Sequence, residues 1–375
     1  MENLSDITPL SFCMETNDSI CEPFDPCQVH VYSRTMMLGL IVRRIEQNAV
    51  ELHPEFQRNE GVWNATAQSR LIESLLIRIP LPAFYFDSTD DNRWLVIDGL
   101  QRLSTIRKFV LEGMRLKNLE FLHDCEGKTY QDLPPPLQRR IDESELMCYL
   151  IMPGTPWRVK YDIFRRINTG GEPLSAQEIR HALNVGPCTE IIKAMAECPS
   201  FKRVIKNGIS PRRMKDRECV LRFLAFYHSE ISSYAGGDLN AFLNDYMHAF
   251  NCAYQGEGVG SDRMQALLNL FATTMDFAYA LFGDGAFRKV KANGRRVGSV
   301  NKALFEAWAV TLARINQNER QALLEKRGRL QDVFTRKMVE NERFAKAVTQ
   351  GTGSVVNVRV RFEEMAKLVE EVLYD

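Results

Sequence analysis

The stretch that decides the fold is Trp94-Leu95-Val96-Ile97-Asp98-Gly99-Leu100-Gln101-Arg102-Leu103-Ser104-Thr105-Ile106-Arg107-Lys108-Phe109. Trp94 to Ile97 is a run of large apolar residues of strand length. From Arg102 onward, Leu103, Ile106 and Val110 recur at helical spacing. Between them lies a tight polar turn, Asp98-Gly99-Leu100-Gln101. A strand that turns at glycine into a helix presents backbone N–H groups without intrahelical acceptors at the positive end of the helix dipole, where anions bind. Arg102, in the first turn, adds a five-donor cation suited to phosphate. Asp98 adds a carboxylate that can hold a divalent metal or a ribose hydroxyl. The turn reads as a phosphate site for a nucleotide. The competing reading is structural: Asp98 caps the helix and Arg102 is a solvated surface charge.

Working outward, residues 34–48 read as a helix with Met37, Leu38, Ile41 and Ile45 on one face, followed by a short strand at 50–52. Pro54 makes a turn of His53 to Arg58. Residues 64–78 form an amphipathic helix with Asn64 as N-cap, and 83–86 pair with 94–97 as strands. Residues 146–152 are a further strand and 161–167 a helix. Another helix starts at Ser175, with Glu178 completing a capping box. Beyond about residue 186 the pattern is helical, with helices expected over 216–229, 238–253, 261–281, 300–315, 329–348 and 358–373, and a hairpin turned at Asn293-Gly294. The fold class is therefore α+β. The expected layout is an acidic flexible tail over 1–33, a small α/β domain over 34–185 and an all-α domain over 186–375.

Apolar content of 45% and charged content of 26% suit a globular chain. No run approaches the roughly 18 apolar residues of a membrane span, so no membrane partner is expected. The first residues show no basic region leading into an apolar one, so no secretory signal is expected. Nine cysteines without a Cys-x-x-Cys pair point to reduced thiols and a cytoplasmic setting. A net charge of zero hides an asymmetry: residues 1–33 contain carboxylates but no Lys or Arg. Two basic clusters follow. One is Lys202, Arg203, Lys206, Arg212, Arg213, Lys215 and Arg217; the other is Arg288, Lys289, Lys291, Arg295 and Arg296. Clusters of this size track a nucleic-acid backbone or form solvated faces. Gly127-Lys128-Thr129 mimics the end of a phosphate-binding P-loop, but Leu122 stands where its first glycine belongs.

Three polar segments each sit at the end of a regular element: Phe56-Gln57-Arg58 with Trp63 nearby, Asp98 to Arg102, and Arg166-Ile167-Asn168-Thr169-Gly170-Gly171-Glu172-Pro173-Leu174. Their order and spacing resemble the N-terminal domain of the GmrSD-type modification-dependent restriction endonucleases. The likeness covers about residues 34–230 and is strongest to about 185. It implies a ParB/sulfiredoxin-like fold that binds a nucleoside triphosphate with Mg, with NTP hydrolysis as an associated activity, in a regulatory or sensor role in anti-phage defence. Carried over, Asp98, Gln101 and Arg102 would be the catalytic set. Gln57, Arg58, Gly99, Arg102, Arg166, Asn168 and Thr169 would contact the nucleotide, and Asp98 and Asn168 the metal. Leu100 departs from the family, which has Gln there. The sulfiredoxin reaction needs a cysteine in this turn, and Gly99-Leu100-Gln101-Arg102 has none. The last histidine is His248, so no His-Asn-His nuclease module follows it, and DNA cutting would fall to a separate nuclease or effector subunit. Two alternatives remain. One is a DNA-binding adaptor without turnover that uses the basic clusters. The other is a Mg-dependent nuclease drawing carboxylates from Asp98, Glu172 and Glu178.

Overall fold

A computed structural model describes residues 29–52, 63–90, 92–167, 174–206, 208–291 and 293–374. They fall into two compact units that part between Leu174 and Ser175.

The first unit is built on five strands: β1 (Val31–Met37), β2 (Val50–Glu51), β3 (Phe84–Asp90), β4 (Arg93–Asp98) and β5 (Glu145–Ile151). Their order is β1-β5-β3-β4-β2. β1 runs antiparallel to β5, β5 parallel to β3, β3 antiparallel to β4, and β2 parallel to β4. Helices α1 (Leu38–Glu46), α2 (Ala65–Leu76), α3 (Leu100–Leu111), α4 (Pro135–Asp142) and α5 (Trp157–Ile167) complete it. Side chains alternate across a strand, so Phe84, Phe86, Trp94, Val96, Leu146, Cys148 and Leu150 share one face. That face forms one core with Ile41 and Ile45 of α1, Ile72 and Leu75 of α2, and Leu103, Ile106 and Phe109 of α3. The α2 cap is as the sequence indicates, with Asn64 Oδ1 accepting from Ala67 N at 2.8 Å. α2 also anchors a loop: buried Glu73 accepts backbone N–H bonds from Glu120, Phe121 and Leu122.

One expectation fails at the start of this unit. Residues 31–37 are strand, and the helix begins only at Leu38. β1 lies at the sheet edge and only Met36 of its seven residues is buried, so it lacks the apolar alternation that marks a strand in sequence. Met37, assigned to the helix face, is 57% exposed.

The second unit is helical: α6 (Ala176–Leu183), α7 (Pro187–Glu197), α8 (Pro199–Ile205), α9 (Lys215–His228), α10 (Leu239–Ala253), α11 (Asp262–Phe282), α12 (Lys302–Arg314), α13 (Gln317–Glu325), α14 (Arg327–Glu340), α15 (Glu342–Ala347) and α16 (Val355–Tyr374). A two-stranded ribbon, β6 (Lys289–Val290) and β7 (Arg296–Val297), sits between α11 and α12, where the Asn293-Gly294 pair signals a hairpin. The unit begins earlier than residue 186. Ser175 Oγ donates to the Arg213 carbonyl at 3.0 Å, and Arg180 Nη1 donates to Asn240 Oδ1 at 2.9 Å, tying α6 to this unit. The single helix expected over 329–348 is broken at Asn341, whose Oδ1 accepts from Phe344 N to start α15. By length and composition alone Asp262–Gly285, which contains α11, is apolar enough to cross a membrane, although it is not an unbroken apolar run. Its Leu267, Phe271, Met275, Ala278 and Leu281 are buried in the helical core.

Candidate functional site at the Asp98–Arg102 turn

The β4-to-α3 turn is built as the sequence reads. β4 ends at Asp98, Gly99 takes a left-handed φ of +96°, and α3 starts at Leu100. Two constraints fix glycine there. The backbone region disfavours L side chains. A Cβ at Gly99 would also stand 2.4 Å from Phe84 Cδ1 and 2.8 Å from Cε1, inside a ring that is fully buried. The missing side chain thus makes room for the core of its own unit.

Just before the turn β4 carries a bulge. Asp98 lies opposite Tyr85 and Val96 opposite Phe86, so Ile97 is an extra residue on β4. Bulges re-aim side chains beside functional sites. Tyr85 is also paired in register with Tyr149 on β5, and their rings stack at 4.8 Å and 16°. Tyr149, Tyr85 and Asp98 therefore occupy one cross-strand row at the α3 end of the sheet. Burial pushes the Tyr85 hydroxyl pKa up, and the nearby Tyr149 and Asp98 add to the shift. Neither tyrosine was singled out from sequence. The two are sixty-four residues apart, and only the sheet register joins them.

Arg102 is neither a solvated charge nor an outward-pointing hook. Its residue is 9% exposed. Nη1 donates to the Pro82 carbonyl, and Nη2 to the Ala83 carbonyl at 3.1 Å and to Asp98 Oδ2 at 3.0 Å. The guanidinium carbon lies 4.3 Å from the centre of the Phe84 ring. Burial pulls the Arg102 pKa down, while the Asp98 charge and hydrogen bond oppose the fall. The side chain clamps α3 to the start of β3. Asp98 keeps 36% of its side chain exposed at the mouth of the turn. Gln101 is half-buried, and its carbonyl accepts from Thr105 Oγ1. Leu100 packs against the unit's core, on the packing side of the turn.

Arg166 is exposed at the last turn of α5. Gln57, Arg58, Asn168, Thr169 and Glu172 lie outside the described residues. Glu178 is committed in the second unit: it is 3% exposed, its Oε2 accepts from Ser175 N at 2.6 Å, and it completes the α6 capping box. That removes Glu178 from the carboxylate set of the nuclease reading. Among the described residues no three His, Cys, Asp or Glu side chains gather as a metal site.

The basic clusters, both in the second unit, divide. Arg203 pairs with Asp276, and Lys206 with Asp284. Arg213 turns inward, with Nε 3.8 Å from Glu178 Oε2. Arg288 donates to the carbonyls of Asp284, Gly298 and Ile205. Arg296 stacks between Phe282 and Phe334. Lys202, Arg212, Lys215, Lys291 and Arg295 are exposed, and Lys289 is half-exposed. The two segments are bolted together, since Val300 N donates to the Gly208 carbonyl at 3.2 Å.

Compared with known families, residues 39–184 match the model described as GmrSD restriction endonuclease, N-terminal domain. No curated protein and no solved structure matches the chain.

Proposed function

From the match of residues 39–184 to the GmrSD restriction endonuclease N-terminal domain, we propose that this protein is a nucleotide-binding regulator of a DNA restriction system. The nucleoside triphosphate binds at the Asp98–Arg102 turn. One observation carries this reading: the α3 N-terminus is held rigid by the Arg102 clamp while the Asp98 carboxylate stays partly exposed beside it. The first-turn amides of α3 supply anion-binding donors, and Gln101 adds a neutral one. Asp98 Oδ2 is occupied by Arg102, so Oδ1 is the oxygen for a cation. A Mg²⁺ held by one carboxylate, water and substrate phosphates suits that donor set. Arg102 serves as framework for the phosphate site. Gln57, Arg58, Arg166, Asn168 and Thr169 complete the nucleotide contacts in this proposal, with Asn168 beside the metal, and a separate subunit cuts the DNA.

Equilibrium dialysis of the full chain with ATP and GTP, each with and without Mg²⁺, tests the site. Wild-type protein binds one of them, and Asp98→Asn loses the Mg²⁺-dependent part, about tenfold or more for a charge-assisted contact of 1.5–3 kcal/mol. No binding at millimolar nucleotide refutes the reading. Phosphate release in the same samples reports hydrolysis.

A second reading, a DNA-binding adaptor without nucleotide turnover, is favoured by the inward Arg102 and by Leu100. It requires DNA binding that nucleotide leaves unchanged.

A further inference from the structure

The β6–β7 ribbon turns its exposed cations to one face, and alternation explains why. Lys289 pairs with Val297, and Val290 with Arg296. The ladder continues as Lys291 N donates to the Arg295 carbonyl at 3.0 Å. Successive residues of a strand point to opposite faces, so Val290 and Arg296 share the inner face. Val290 is buried, and the Arg296 guanidinium carbon stands 4.8 Å from the Phe334 ring centre and 5.3 Å from that of Phe282. Lys289, Lys291 and Arg295 share the outer face.

These three differ from Arg203, Lys206 and Arg288. Arg203 and Lys206 are neutralised by Asp276 and Asp284, and Arg288 is spent on three carbonyls. Lys289, Lys291 and Arg295 make no ion pair among the described residues. The ribbon beneath them is firm. Gly294, at φ +74°, closes the turn by donating to the Lys291 carbonyl at 2.9 Å, and Asn293 Oδ1 accepts from Arg295 N at 3.1 Å. Arg288 joins the ribbon base to α8 through Ile205. At Gly208 a Cβ would lie 2.7 Å from Val300 Cγ2 and 2.8 Å from Arg288 Nη2, so the two segments meet closely. The ribbon lies outside residues 39–184.

We infer that the outer face of the β6–β7 ribbon is a contact surface for the phosphate backbone of double-stranded DNA. A polyanion is the partner that three unpaired cations on a narrow rigid support select. A two-stranded ribbon fits the major groove, about 12 Å wide, and can there reach phosphates on its walls. No aromatic side chain shares the outer face for base stacking, so binding is electrostatic and indifferent to sequence. The choice of DNA rests on the restriction-system reading; the placement of the surface rests on the ribbon alone.

The test uses the full chain and the triple variant Lys289→Ala/Lys291→Ala/Arg295→Ala, with labelled 30-base-pair duplexes of unrelated sequence titrated at several salt concentrations. Three lost phosphate contacts make the slope of log K against log salt shallower by about 2.7 and weaken binding roughly 500-fold at 0.1 M salt, equally for every sequence. The Lys289→Arg/Lys291→Arg variant keeps the wild-type slope. Thermal melting of the triple variant stays at the wild-type temperature, since all three side chains face away from the core. A wild-type slope in the triple variant overturns this surface and leaves DNA binding elsewhere standing. Failure of the wild-type protein to bind any duplex at 50 mM salt overturns both the surface and the DNA partnership. Loss of binding to phosphatidylserine vesicles but not to DNA assigns the face to a membrane and overturns the inference.

Discussion

Replacing Gly99 by alanine tests whether the turn is held by its own core. The added methyl group meets two separate penalties. The left-handed backbone at φ +96° costs an L residue about 1–2 kcal/mol. The methyl carbon then stands 2.4 and 2.8 Å from two atoms of the Phe84 ring, well inside the optimal separation of about 3.5–4.0 Å. The ring has little room to retreat, because it is fully buried and the Arg102 guanidinium lies over it at 4.3 Å. Overpacking of this kind costs about 1–3 kcal/mol, so the total is about 2–5 kcal/mol. Amide hydrogen exchange of α3 reads it directly. Ile106 and Phe109 are fully buried, and the exchange of their amides should quicken roughly 30- to 4,000-fold if it proceeds through unfolding of this unit. Phe84→Leu removes the ring edge that the methyl strikes. The double variant should then be less destabilised than the sum of the singles by about 1–3 kcal/mol. A change under about threefold in Gly99→Ala, or strict additivity with Phe84→Leu, refutes the account.

Three further outcomes follow from described contacts. Arg102→Lys keeps the charge but loses the planar fork that reaches Pro82, Ala83 and Asp98 together, so urea melts should show a loss of about 1.5–3 kcal/mol; wild-type stability would mean the fork is dispensable. Burial pushes the Glu73 pKa up, but the N–H donors of Leu122, Glu120 and Phe121 outweigh it and the net shift is downward. Its stabilisation is therefore complete above the ordinary carboxylate value and lost as pH falls through the folded one, so Glu73→Gln should be less stable than wild type at pH 7 and converge with it in acid. His228 is held neutral by burial, and secondarily by the Arg314 charge, with its pKa pulled down to about 4. The unfolded chain then binds the extra proton between about pH 4 and 6.5, stability rises with pH across that window by on the order of 3 kcal/mol, and His228→Asn should flatten the rise in thermal melts.

Features set by neighbouring residues were legible in the sequence. The Asn64 cap, the Ser175–Glu178 capping box and the Asn293-Gly294 hairpin each depend on a few adjacent side chains and stand where expected. The turn from β4 through Gly99 to α3 was legible for the same reason. What distant chain decides was not. β1 hides its strand character because it has one neighbour and an exposed edge. The inward course of Arg102 is set by carbonyls at Pro82 and Ala83, which precede it by about one hairpin. The Tyr85–Tyr149 stack exists only through the parallel register of β3 and β5. Counting cations likewise could not show that Arg288 and Arg296 serve the interior while Lys291 and Arg295 face water.

The lodging of Arg102 among Pro82, Ala83 and Asp98 changes what its mutants can teach. An arginine that doubles as a keystone will look indispensable in any activity screen, because its removal loosens the scaffold before any ligand is met. Lost activity in an Arg102 variant therefore testifies first to architecture, and only substitutions at Asp98 or Gln101 interrogate the proposed chemistry.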